Sequence, residues 1–424
     1  MRSPTDRRNR LADGSRLALA AGLTGVAAGA GGIVLTLLLH AVQHLAFGYT
    51  EATFLTGVER AAPSRRVVAM AIGGLIVGTG WWALRRCCTP VPSIDQALSD
   101  PHRGLPLGAL TADAALQIVA VGAGASLGRE GAPRQLGAAL ASLIATRLRL
   151  TAAQRRTVVA CGAGAGLAAV YNVPLGGALF TLEILLTSAA LVDVFPALLS
   201  SGVATAVAWT VLSNRPTYLV PTPVLHAPLL VWALLIGPPA GLVGVYFVRF
   251  TGWSRRFAPA GWRLPVVTTI VFAAVGAAAI RYPELLGNGK GPAQLAFDGA
   301  LGLGVLALLV VLKPVATGAC LASGATGGLL TPALATGAML GGLSGGAWSL
   351  LWPGAPIVGY AMITAAAVLA TTQKAPLYAI VLVMEFTNTG LTLAVPMTLA
   401  VAGALLTGTF LRRHSAAFGE EHPS

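Results

Sequence analysis

The sequence predicts an all-α polytopic membrane protein made of two inverted-topology repeats whose helices are partly broken and tilted. Composition is the first reason: of 424 residues, 55% are hydrophobic and only 10% charged, with a mean hydropathy of +0.75. A soluble domain averages about 25% charged residues. The second is the recurrence of apolar runs, at 17–39, 67–84, 114–127, 157–171, 174–192, 195–212, 228–248, 264–280, 301–312, 356–371, 376–386 and 391–411. A simple crossing needs about 20 residues; several runs fall short, and Gly 52 and Pro 26 supply the breaks. Broken helices survive at membrane depth only where protein or a wet cavity covers the freed backbone, as at transporter binding sites. The third is an internal duplication that covers nearly the whole chain.

Residues 1–16 carry five arginines and read as a cytoplasmic N-terminal segment. The apolar stretch after them is longer than the core of a signal peptide, about 7–15 residues, and reads as the first membrane helix. The first membrane repeat is assigned to 17–212, a polar, proline-rich linker to 213–224, the second repeat to 225–411 and a short charged tail to 412–424. Two matches define the duplication. Pro174-Leu175 precedes Glu183 as Pro376-Leu377 precedes Glu385, and Gly128 to Pro133 aligns without gaps on Gly327 to Pro332; the offsets are 202 and 199 residues. Chance repetition in an Ala/Gly/Leu-rich chain is the competing reading.

The net charge of +13 invites a nucleic-acid reading, but the arginines fall in short clusters between apolar runs: Arg65-Arg66, Arg85-Arg86, Arg155-Arg156, Arg255-Arg256 and Arg412-Arg413 among them. That is the pattern of the positive-inside rule, with a basic partner surface as the alternative and no nucleic acid expected. A positive potential also favours anions near the mouths of any pathway.

Gly128-Arg129-Glu130-Gly131 is the stretch that most calls for explanation. A charge in apolar surroundings costs roughly 2.5–3.5 kcal/mol on insertion scales and persists where it is paired, wet or useful. A structural Glu/Arg pair is one reading. The other follows from the duplication: inverted halves bring half-helices together near the midplane. Each helix N-terminus there offers N–H groups and about half a positive charge, an anion site made mainly of backbone.

Together these stretches resemble the CLC family of chloride channels and proton-coupled anion transporters across almost the entire membrane region. Gly128 to Gly131 is similar to the family's gating-glutamate motif, with Ala132-Pro133 where a proline usually follows directly. Ser323 to Pro332 resembles the second anion-binding motif, with Leu329-Leu330 in place of the common Ile-Phe. Residues 171–183 and 374–385 resemble two further family helices. The resemblance implies the CLC-type fold, a homodimer with one pathway per subunit, and transport of chloride or related small anions, without cofactor, metal or enzymatic activity. Glu130 would be the gate. Thr89, Arg129, Gly131, Gly328, Leu329, Leu330 and Phe418 would bind the anion.

Departures from the family pattern shape the mechanism expected. Thr89 stands where a serine is usual, and Pro90 replaces a glycine. The central tyrosine has no counterpart; Ala417 falls at its position, with Phe418 beside it. The proton pathway is assigned to Glu130 and Glu183, but exchangers commonly carry their internal glutamate one residue further on, where this chain has Ile184. The expectation is therefore a channel-like or loosely coupled pathway, with a proton/anion antiporter for chloride or fluoride as the alternative. The setting expected is the plasma (inner) membrane.

Rival classes find less support. An intramembrane enzyme needs converging catalytic groups, and the chain has six histidines and no His-Glu-x-x-His. A scaffold would leave Glu130 unexplained. His40 and His44 read as interfacial packing rather than half a metal site, and Cys87-Cys88 as packing residues rather than a disulfide. Gly287 to Pro292 lacks the spacing of a phosphate loop and reads as a turn opening a helix. Lys313 either draws anions inward or snorkels to an interface, and Asp113 replaces a pore lysine common among relatives.

Overall fold

The computed structural model describes residues 4–88, 92–100 and 104–417, and these are helical almost throughout. In chain order the α-helices are α1 (Pro4–Phe47), α2 (Phe54–Arg60), α3 (Pro63–Cys87), α4 (Ile94–Ser99), α5 (Leu107–Gly122), α6 (Gly131–Arg147), α7 (Ala152–Tyr171), α8 (Pro174–Leu179) and α9 (Leu191–Ala208). They continue as α10 (Ala227–Arg255), α11 (Arg263–Arg281), α12 (Lys290–Phe297), α13 (Leu303–Ala322), α14 (Leu330–Leu351), α15 (Ile357–Gln373), α16 (Pro376–Thr387) and α17 (Ala394–Ala417). A π-helix, Phe180–Leu186, continues α8. Among the described residues, seven helices are long and apolar enough to cross a membrane: α1 from Gly14, α3, α9, α10, α11, α13 and α17. Apolar pieces too short to do so recur at α5, α8 with the π-helix, α15 and α16, the broken helices that the short runs foretold.

The chain falls into two compact units: 1–40, 83–118 and 130–217 form one, and 41–82, 119–129 and 218–424 the other. In the first, α7 is buried from Thr157 to Tyr171. Missing side chains let its neighbours come close: a Cβ on Gly137 of α6 would collide with the carbonyl oxygen of Gly162 on α7. Small residues are the usual means of close helix packing in lipid, where apolar burial alone drives little association.

The second unit repeats the plan. Here α15 is buried from Val358 to Thr371, and a Cβ on Gly341 of α14 would meet the carbonyl oxygen of Tyr360. The correspondence is residue by residue. Gly131 opens α6 and Leu330 opens α14, as the gapless alignment requires. α7 ends on Asn172 (φ 59°) and α15 on Lys374 (φ 55°), both left-handed, and each is followed two residues later by the proline that starts the next helix. Proline at a first helical position loses only an N–H that had no helical partner.

Candidate functional site

Three backbone or side-chain ties in the second unit hold the loop between α5 and α6. Gly124, at φ +112° a conformation that favours glycine, accepts from the N–H of Gly287 at 2.8 Å. Ser126 and Thr317 bring their hydroxyls to 3.3 Å. Gly128 and Gly328 exchange both backbone hydrogen bonds, each 2.8 Å, as an isolated antiparallel bridge. The loop ending at Arg129 and the loop leading to Leu329 and Leu330 therefore lie side by side. Arg129 and Leu329 are half-buried and Leu330 is buried.

Glu130 and Leu329 occupy the cap positions of α6 and α14, and neither caps its helix from the side chain. Backbone N–H groups at a helix start are the kind of polarity an anion site needs. A second cation lies near Arg129. Partial desolvation, and after it the charge of Arg129, pull the Lys290 ammonium down to about 8. Lys290 opens α12 after Gly289 in the left-handed region, so the 287–292 stretch is a helix-opening turn, as expected.

In the first unit, Glu130 is fully buried. Its carboxylate oxygen Oε2 accepts from the phenol of Tyr171 at 3.2 Å. Its carbonyl accepts from Arg134 Nε at 3.0 Å, and the Arg134 guanidinium lies 5.2 Å from the ring centre of Phe180. Gly131 follows at the first position of α6. Glu183 and Ile184 both sit half-buried in the π-helix. Thr89, Pro90 and Phe418 lie outside the described residues.

Sequence reasoning missed Tyr171, whose donor role is visible only once α7 is folded against α6. It singled out Asp113 but missed its partners in the first unit: Gln117 Nε2 donates to Asp113 Oδ2 and to Gln135 Oε1, each at 2.8 Å, with Arg85 in electrostatic reach of Asp113. Lys313 fits neither role expected of it. Fully buried, its ammonium donates to the carbonyls of Leu285 and Gly287 at 2.8 Å and of Glu284 at 3.4 Å, and so fixes a loop instead of drawing ions or reaching an interface. His44 packs edge-on against Tyr49, ring centres 4.8 Å apart, and the four cysteines are free.

A family model described as voltage gated chloride channel matches residues 73–409. A Ralstonia nicotianae protein described as "Putative chloride channel protein ClcB-like" is 35% identical over 64% of this chain and 66% of its own length. The H(+)/Cl(-) exchange transporter ClcA of Cronobacter sakazakii is 29% identical over 93% of this chain and 86% of its own. Among solved structures, a slow cyanobacterial Cl-/H+ antiporter superposes with a TM-score of 0.79 at 21% identity, covering 96% of this chain and 99% of that one. At that identity the likeness establishes the fold: an integral multi-pass membrane protein of two inverted-topology repeats with broken and tilted helices, as the sequence predicts.

Proposed function

Because this chain belongs to the voltage-gated chloride channel (CLC) family, whose members transport anions, we propose that it exchanges chloride or a related small anion for protons through a glutamate-gated pathway. The Gly128–Gly328 backbone pair carries this reading, since it sets the loop that precedes Glu130 beside the loop that opens α14. In the proposal, N–H groups of Gly328, Leu329 and Leu330, with Gly131 and the charge of Arg129, hold the anion. Glu130 is the gate, a carboxylate that competes with the ion and lets go when protonated. Thr89 and Phe418 remain proposed anion-binding residues, and Glu183 remains with Glu130 on the proposed proton pathway.

Coupled exchange takes the place of the channel-like pathway expected from Ile184. The names of the Cronobacter relative and of the cyanobacterial structure support it. Passive conduction is the second reading, favoured by Ile184 and by the name of the Ralstonia relative. The proposal extends to a homodimer with one pathway per subunit, in the inner membrane, with a cytoplasmic N-terminus.

Chloride and proton fluxes recorded together in liposomes test it. A chloride gradient should drive protons uphill in the wild type, whereas Glu130→Gln should pass chloride with no proton movement. A wild type that dissipates chloride without moving protons sinks exchange and leaves the channel. Chloride flux indifferent to Glu130→Gln removes the gate.

A further inference from the structure

We infer that Tyr171 is a positioning residue for the carboxylate of Glu130, and that the surface segment from Trp209 to Thr217 sets where its phenol stands, so that this segment regulates the gate. The inference rests on Glu130 being the gate and adds to it a latch and a handle.

The latch is the 3.2 Å hydrogen bond from the Tyr171 hydroxyl to Oε2 of Glu130, between side chains 2% and 0% exposed. A carboxylate in such surroundings is retained by the donors that face it. Any swing of Glu130 must break this bond.

The handle begins at the next residue. Asn172 ends α7 in the left-handed conformation and is bonded on both sides of its amide. Its Nδ2 donates to Oδ1 of Asn214 at 3.0 Å and to the carbonyl of Arg215 at 3.3 Å, while its Oδ1 accepts from the indole N–H of Trp209 at 2.8 Å. Thr217 donates its hydroxyl to the carbonyl of Tyr171 itself at 3.2 Å. Four bonds thus clip the Tyr171–Asn172 turn to a segment whose Trp209, Asn214 and Arg215 are exposed. An event at the surface reaches Glu130 through two residues.

A structural role for the tyrosine is the alternative, and the duplication argues against it. Lys374 makes the same left-handed turn in the second half, and the residue before it is Gln373. The turn does not need a tyrosine. What the phenol adds in the first half is a donor to the gate.

Chloride efflux from vesicles of phosphatidylethanolamine and phosphatidylglycerol, containing the full-length protein, tests the inference. Tyr171→Phe should raise efflux roughly tenfold, the scale of one hydrogen bond to a charged group. In a Glu130→Gln background the same substitution should change efflux by less than about twofold, because the group it restrains is neutral. Asn172→Gly keeps the left-handed turn and removes the clip, and should raise efflux in the same direction with the same dependence on Glu130. A Tyr171→Phe effect equal in both backgrounds means a structural tyrosine and overturns the inference. So does wild-type efflux in Tyr171→Phe, provided Glu130→Gln alters it. Efflux unchanged by Glu130→Gln alone defeats the gate reading instead, and the inference with it.

Discussion

Lys313 places its ammonium 2.8 Å from the carbonyl oxygen of Gly287, a residue whose own N–H bonds the carbonyl of Gly124 in the loop before α6. A buried cation with three carbonyl acceptors is a support, one step removed from the proposed anion motif. Lys313→Met removes the charge and leaves those carbonyls without it. A loss of about 2–5 kcal/mol is expected, read as an earlier thermal loss of monodisperse protein in detergent. An unchanged melt would show that the loop needs no such support.

Close packing of α6 on α7 yields a second expectation. Gly137→Val forces β-branched bulk against the Gly162 carbonyl and should cost about 1–3 kcal/mol or more, with aggregated protein at solubilisation. Gly22→Ala is the control, since a Cβ there meets nothing within 4 Å. Equal yields of the two variants would contradict the packing argument.

How much of this was legible in the sequence follows from what each feature depends on. The starts of α6 and α14 came from one gapless alignment, because helix starts are local chemistry repeated in both halves. The apolar runs break before Pro174 and Pro376, but the left-handed turns there emerged only from the fold. Motif spacing and family resemblance marked Glu130. Tyr171 could not be found that way: it meets Glu130 across 41 residues, and its counterpart in the duplicated half is Gln373, not a tyrosine. Lys313 was misread because its acceptors are main-chain carbonyls, which carry no sequence signature. The π-helix escaped notice as well, since the run from 174 to 192, apolar but for Thr181, Glu183, Thr187 and Ser188, carries no proline or glycine within 180–186 to mark a change of pitch.

The proposed anion site makes a contrast between backbone and side chain. Gly328→Pro deletes the N–H that bonds Gly128, and chloride flux should fall at least about tenfold. Leu329→Ala keeps every backbone donor, and flux should stay within about threefold of wild type. Isotope uptake into liposomes reads both. A larger loss in Leu329→Ala than in Gly328→Pro would place recognition in the side chain.

Lys290 gives the pathway a pH dependence of defined sign. A lysine lowered to about 8 is charged below that pH and neutral above it, so the field it shares with Arg129 weakens as pH rises through 8. The half-saturating chloride concentration should rise over that interval in the wild type and stay flat in Lys290→Met. A wild-type value constant from pH 7 to 9 would remove Lys290 from anion recruitment.

The bridge between Gly128 and Gly328 joins positions 200 residues apart, and its timing during biosynthesis follows from that distance. A nascent polypeptide emerges from its N-terminus onward, so Glu130 is made long before the loop that will neighbour its own has been translated. Until Gly328 leaves the ribosome, the proposed anion site lacks half of its backbone, and on that proposal a translating cell is spared a leak.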